Sequence, residues 1–291
     1  MPAPTSHGDL FAATPTPAST ATTRVRVGIG GWNFAPWRKN FYPDGLPQRR
    51  ELEYASRQLR AIEINGTYYG AQKPDTYARW AAETPQDFVF SLKAPRYISE
   101  GKSLRDTGKG IHGFVHGGLA EMGDRLGPIL WQLAPSRPFD ADDIAMFLDL
   151  LPRELNGAAL RHVLEVRHPS FLSEPYVALA RSHAIPTVFT DSADYPSLAD
   201  LTGDFSYARL MRSEAPIATG YPATALDDWA TRAQQWSAGQ DIAELPHVTA
   251  TLPAGKPRDV FVFFISSAKQ RNPAAAMSLQ SRIDALAQPA R

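Results

Sequence analysis

Six ionisable residues fall at matching places in short apolar runs of this chain. Glu63 follows Ile62, Lys93 follows Leu92, Glu165 and Arg167 flank Val166, Asp191 closes a run from Pro186, and Arg209 follows Ala208. In a β-strand, neighbours point to opposite faces and residues two apart share one. Glu63 and Asn65 then share a face, with Ile62 and Ile64 opposite. Val89, Ser91 and Lys93 form a second such set, Leu130 and Gln132 a third, Glu165 and Arg167 a fourth, and Tyr207 and Arg209 a fifth. Burying a charge costs on the order of several kcal/mol unless it is partnered. A strand buried on both faces tolerates this pattern only if the charges meet one another or a ligand.

The chemistry open to these residues is acid–base and electrostatic. Glu63, Glu165, Asp191 and Lys93 are candidate proton carriers, with pKa values set by their neighbours. Arg167 and Arg209, with Asn65, Gln132 and Tyr68, suit an anionic or polyhydroxylated ligand. Trp32 and Tyr68 could wall such a pocket. His168 has the opposite parity to Arg167, so it either caps the run or joins the ligand shell. Paired carboxylates would also suit glycoside hydrolysis. Three carboxylates could hold a divalent metal, although the three cations would already neutralise them. His112 and His116 have ligand spacing on a helix, but the stretch is glycine-rich and lacks the HExxH glutamate. No metal site and no cofactor are predicted. Gly28, Gly30 and Gly31 do not complete a dinucleotide fingerprint, and neither a Walker motif nor a G-x-S-x-G elbow occurs.

Positioning these residues requires strands, and the periodicity predicts eight. They run Val25 to Trp32, Ala61 to Tyr69, Phe88 to Pro95, Ile129 to Pro135, His162 to His168, Pro186 to Asp191, Phe205 to Met211 and Asp259 to Ser266. Helical patterns lie between them at Pro47 to Leu59, Pro74 to Glu83, Asp140 to Leu155, Glu174 to Ala184, Thr224 to Gln240 and Asn272 to Ala287, with one more at about Phe114 to Arg125. Thr224 and Asn272 stand where N-caps would be. Strands interleaved with helices imply parallel pairing. About 265 residues follow the N-terminal tail, close to the roughly 250 of a (β/α)8 barrel. The predicted fold is therefore α/β, a single TIM-barrel-like domain over 24–291. An open doubly wound sheet is the rival. In a barrel the charged faces point inward, near the C-terminal mouth where active sites are built. Gly28, Gly30 and Gly31 are expected to leave room there.

Composition narrows the classes. Lys plus Arg and Asp plus Glu both number 30, so no global field favours nucleic acid or membrane. The absence of cysteine removes disulfides, thiolate metal sites and a cysteine nucleophile. No run of 18 apolar residues spans a bilayer, and no secretory signal precedes the first strand. A cytoplasmic location is the default expectation. Residues 1–23 are rich in Pro, Ala, Thr and Ser and read as a disordered tail. Within it, Asp9-Leu10-Phe11 resembles the peptide with which bacterial proteins dock on the DNA sliding clamp, without its usual leading Gln.

The ordered set of motifs resembles the domain-of-unknown-function 72 (YecE-like) family. It comprises Gly30-Gly31-Trp32, Trp37, Phe41-Tyr42-Pro43, Glu63-Ile64-Asn65 with Tyr68-Tyr69, Trp80 with Thr84-Pro85, Lys93-Ala94-Pro95, Leu126-Gly127-Pro128, Gln132-Leu133 with Pro135, Glu165-Val166-Arg167-His168, Asp191, and Tyr207 with Arg209. The resemblance runs from about Arg26 to the last helix. It implies a TIM-barrel-like fold and no agreed reaction, substrate or cofactor. The chain departs from the pattern at Ser99-Glu100 (Thr-His in the family), after Arg209 (a His-Gly pair) and at Phe264-Ile265-Ser266-Ser267 (Phe-Asn-Asn). The leading expectation is an enzyme (hydrolase, lyase or isomerase) acting on a small anionic or sugar-like molecule. A non-catalytic binding module tied to DNA maintenance through the tail, and a metal-dependent phosphodiester hydrolase, are the alternatives. The enzyme reading requires the six charges to converge around a space they do not themselves fill.

Overall fold

The computed structural model describes residues 24–287; the tail and its Leu10-Phe11 pair lie outside them. Each of the eight predicted runs contains a strand. They are β1 (Val25–Gly30), β2 (Ala61–Ile64), β3 (Val89–Lys93), β4 (Leu126–Gln132), β5 (His162–Glu165), β6 (Phe189–Asp191), β7 (Phe205–Leu210) and β8 (Asp259–Phe264). Most end earlier than the apolar runs do. After β2 the chain turns at once into a short 3-10 helix, Gly66–Tyr68, and after β5 into another, Pro169–Phe171. β4 begins earlier than expected, at Leu126.

The strands hydrogen-bond in the order β5-β4-β3-β2-β1-β8-β7-β6, all parallel. Two backbone bonds bridge the remaining seam: Leu164 N to Pro186 O at 3.0 Å, and Val188 N to Leu164 O at 2.9 Å. The result is a nearly closed barrel in chain order, not an open sheet. Strand alternation places the side chains as the period of two requires. Ile62, Ile64, Phe90, Leu92, Leu164, Ala208 and Leu210 belong to the large outer core shared with the helices. Ala61, Leu130, Val163, Val188, Tyr207, Phe261 and Phe263 form a separate inner cluster. Each fully buried aliphatic or aromatic side chain contributes about 1.5–3 kcal/mol, so two such layers fix which face of each strand looks inward.

The outer layer is α1 (Glu51–Gln58), α2 (Pro74–Glu83), the short α3 (Arg96–Ser99), α4 (Gly108–His116), α5 (Ala141–Asp149), α6 (Glu174–Ser182), α7 (Ala223–Ser237) and α8 (Asn272–Leu286). Two differences from expectation have physical causes. The helix before β4 lies at 108–116, ahead of the predicted Phe114 to Arg125. Ile111, Phe114 and Val115 bury there, while Gly118 and Gly123 take positive φ and break the later stretch into 3-10 turns. α5 stops at Asp149 because the chain turns into a small hairpin pairing Glu154–Leu155 with Ala158–Ala159. Between β6 and β7 there is no helix; Leu198, Ala199 and Leu201 cover the barrel there instead. Neither predicted N-cap acts as one. α7 starts after Pro222, and Asn272 is already helical. Its amide donates to Phe264 O at 3.2 Å and accepts from Ser213 Oγ at 2.9 Å, which ties the end of β8 to the loop after β7. No helix among the described residues is long and apolar enough to cross a membrane.

Candidate active site at the barrel mouth

Four of the six predicted charges meet on the barrel axis. Arg209, on the inward face of β7, is 2% exposed. Its Nε and Nη2 donate to the two oxygens of Glu63 at 3.1 and 3.0 Å. Its Nη1 donates to both oxygens of Glu165 at 2.9 and 2.7 Å, and weakly to Gln132 Oε1 at 3.4 Å. Arg167 adds two bonds to Glu165 Oε1 at 3.1 and 2.9 Å. Tyr207, one inward position below Arg209, donates its hydroxyl to Glu63 Oε2 at 2.8 Å. Ser91 Oγ lies 2.8 Å from that hydroxyl and 2.9 Å from Pro128 O. All four carboxylate oxygens are thus occupied, and both glutamates are fully buried.

The protonation states follow from this geometry. Burial works against the Arg209 charge, but Glu165 and Glu63 outweigh it and hold its pKa above the ordinary value. Burial likewise works against charge on Glu165, and Arg209 and Arg167 outweigh it, so its pKa falls below the carboxylate range. Burial and then Glu63 push the Tyr207 hydroxyl well up, which keeps it a donor. The open space expected among the six charges is therefore not there: Asp191 lies off the axis with Arg212, the axial charges bond one another, and this part of the site has the arrangement of a scaffold. Neither glutamate offers a free oxygen to a ligand.

Lys93 differs. Register pairs Glu63 with Ser91, so Lys93 stands one inward position above that level. It forms no ion pair among the described residues. Its Nζ lies over the Tyr68 ring, 3.6 Å from the centroid, and the side chain is 8% exposed. Burial, then repulsion from Arg209, lowers its pKa to about 8 against the pull of Glu63 and Glu165. The Tyr68 hydroxyl bonds to Glu100, and burial with that bond raises its pKa. Arg167 stacks on Tyr195, 4.1 Å from the ring centroid, and its side chain stays 13% exposed. With two carboxylates against Arg209, Arg167 and Lys93, the site carries an excess positive charge whenever Lys93 is protonated.

The other predicted residues part company. Asp191 does not reach the axis. It shares parity with Phe189, whose ring packs outward on Trp229 and Trp236, and it pairs with Arg212 at 2.6 Å. The inward residue at that level is Thr190, whose buried hydroxyl has no partner. His168 caps the Pro169–Phe171 turn, its Nδ1 held 2.8 Å from Ser170 Oγ and 3.2 Å from Ser170 N. Gln132 is buried, level with Glu165 in the register, and takes only the weak bond from Arg209. Asn65 and Trp32 border a cleft of about 310 Å³ beside the axis, with Trp80, Gln72 and Lys269. The expected room above the glycines is mostly taken. A Cβ on Gly28 would meet Ala61 O at 2.1 Å, and one on Gly30 would meet Ile265 and Asn65; only Gly31 faces open space. Sequence reasoning missed Tyr195 and Gln72, in loops without periodicity, and Lys269, which opens a short 3-10 turn. Among the described residues no group of three or more His, Asp or Glu side chains converges as a metal would require. His112 and His116 stack at 4.3 Å on an exposed helix face.

Comparison with known proteins bears on the whole chain. Residues 26–290 match the family model described as "Protein of unknown function DUF72". The chain is similar to UPF0759 protein YecE of Escherichia coli (strain K12), 30% identical over 151 residues, 52% of this chain and 51% of YecE. It is similar to UPF0759 protein YunF of Bacillus subtilis (strain 168), 26% identical over 70 residues, 24% of each. The match to YecE thus spans about half the length of that relative. Among solved structures, a DUF72 family protein from Thermotoga maritima superposes with a TM-score of 0.65 at 21% identity, covering 91% of this chain and 99% of that one. Another, from Enterococcus faecalis, gives 0.66 at 15% identity, covering 89% and 95%. At these identities the likeness shows the fold.

Proposed function

The chain belongs to the DUF72 family, whose model and curated relatives carry no assigned activity, and from that premise we propose that it is an enzyme acting at the barrel mouth on a small anionic or sugar-like molecule by acid–base chemistry. The observation that carries this reading is Lys93. It is a buried amine without an ion pair among the described residues, next to a set of charges that are otherwise matched to one another. A group with its pKa near 8 exchanges protons readily around neutral pH. Lys93 is then the proton carrier, and Arg167, fixed between Glu165 and Tyr195, is the anion contact. Glu63, Glu165 and Arg209 hold the barrel axis and set the field felt by Lys93. Placement at the C-terminal mouth agrees with where barrel enzymes carry their chemistry; the fold by itself assigns none.

Ligand-observed NMR with the full chain tests the reading, using acetate, inorganic phosphate and D-glucuronate as probes. Binding of at least one anion is expected below pH 8, weakening as the pH rises through about 8 and the amine loses its charge. Lys93→Met should lower that affinity at least about tenfold. Equal binding by wild type and Lys93→Met, or no pH dependence across that range, removes the proposal.

A further inference from the structure

The cleft beside the axis has a composition that the charged cluster does not explain. Its floor is Gly30 and Gly31 at the end of β1, and its far wall is Ile64, Asn65 and Gly66 at the end of β2. Gly31 has a φ of +75°, a backbone conformation that side chains other than Gly rarely adopt, and a Cβ there would meet nothing within 4 Å. Trp32 and Trp80 meet edge to face, with centroids 5.1 Å apart and planes at 83°. They form a corner, not a pair of parallel plates. Two amide side chains enter it with their carbonyl oxygens unused. Asn65 spends its Nδ2 on Glu63 O at 3.4 Å, and Gln72 spends its Nε2 on Gly70 O at 3.2 Å; neither Oδ1 nor Oε1 accepts a bond among the described residues. Lys269 is the cleft's one cation. It lies over Phe34 at 4.7 Å and makes no ion pair among the described residues, and no carboxylate lines the cleft.

We infer that this cleft takes a single carbohydrate ring bearing an acidic group, with the ring against Trp32, its hydroxyls on Asn65 and Gln72, and the acid on Lys269. The inference rests on the reading of the barrel mouth as a small-molecule site and names the substrate class for it. A volume of about 310 Å³ is at the small end of ligand pockets, which suits one ring. Indole faces take the C–H face of a sugar while amide oxygens accept from its hydroxyls. A flat base would prefer a slot between parallel rings, which the Trp32–Trp80 corner does not provide. The segment from Ile64 to Tyr68 borders both regions: Asn65 on the cleft, and Tyr68 under Lys93. Lys93 does not itself line the cleft, so this short segment is the link between the two regions.

The test is tryptophan fluorescence and ligand-observed NMR on the full chain at pH 7, with D-glucuronate, D-glucose 6-phosphate, D-glucose, acetate, inorganic phosphate and adenosine monophosphate. At least one sugar acid is expected to bind about tenfold or more tightly than glucose, acetate and phosphate. Lys269→Met should reduce that affinity to the level of glucose, and Asn65→Ala should lower it several-fold. Trp32→Leu should abolish the fluorescence change; should that variant fail to fold, the Lys269 and Asn65 variants still decide. Acetate or phosphate matching the sugar acids overturns the ring, adenosine monophosphate binding best overturns the carbohydrate, and no preference for any sugar acid overturns the whole inference. If affinity falls in Lys93→Met but in neither cleft variant, the mouth reading stands and the cleft assignment fails. If it falls in the cleft variants but not in Lys93→Met, the cleft stands and Lys93 loses its role.

Discussion

The axis and the rim of this barrel treat charge in opposite ways. On the axis, Arg209 is sealed between Glu63 and Glu165 with every carboxylate oxygen bonded. At the rim, Lys93 and Lys269 have aromatic faces for company and no ion pair among the described residues. Both regions are built from ionisable residues on or just beyond strand ends, so residue type does not separate them. Pairing does. A buried charge that is fully matched stabilises one arrangement of the strands and leaves little for a ligand to gain. A cation held without a carboxylate costs stability, and a ligand that supplies the anion recovers it. On the proposed reading, the division gives structure to the axis and binding to the rim.

The sharpest way to break this division is Arg209→Met. It leaves Glu63 and Glu165 buried without their main counter-charge, and a loss of roughly 3–5 kcal/mol in urea unfolding is expected. A change within about 0.5 kcal/mol, as for ordinary surface substitutions, would mean the cluster is not structural. Lys93→Met should move the other way. The folded chain holds the Lys93 proton less tightly than the unfolded chain, since its pKa is about 8 instead of 10.5. Below pH 8 the charged amine therefore carries its full penalty. Between pH 8 and 10.5 the unfolded state binds more protons, so stability rises with pH as the penalty is removed. Lys93→Met is expected to stabilise the protein by on the order of 3 kcal/mol at pH 7, with the gain fading by about pH 10.5. Destabilisation at pH 7 would place Lys93 with the axis.

How far the sequence disclosed this can be judged residue by residue. The period of two in β2, β3, β5 and β7 was enough to bring Glu63, Lys93, Glu165 and Arg209 to one interior, because a parity choice admits only two outcomes. It did not disclose that Arg209 and two glutamates would satisfy one another, since that depends on cross-barrel distances. Asp191 carried a usable signal: it shares parity with Phe189, whose bulk belongs outside. The helix at 108–116 was hidden by its own glycines. Gly108, Gly110 and Gly113 each cost about 1 kcal/mol of helix propensity, and burial of Ile111, Phe114 and Val115 outweighs them. Lys269 and Gln72 sit in connections where no periodicity exists to read.

The smallest expected effect lies in the rim loop after β8, and it sharpens the division from the side of backbone strain. Ser266 and Ser267 both have positive φ, 59° and 46°, a conformation that costs roughly 1 kcal/mol or more for most residues and is easier for Asn, whose side chain can bond locally. The hydroxyl of Ser267 bonds to Met211 O, whereas that of Ser266 is exposed and makes no bond among the described residues. Ser266→Asn should therefore relieve strain without removing a contact, raising stability by up to about 1 kcal/mol in thermal unfolding. Lys269 follows three residues later and is anchored by Trp37 Nε1 donating to its carbonyl at 2.9 Å. If the loop is held in this shape to aim Lys269, the stabilised variant should bind sugar acids more weakly than wild type. If stability rises and binding is unchanged, the strain is incidental, and Trp37 alone sets the position of the lysine.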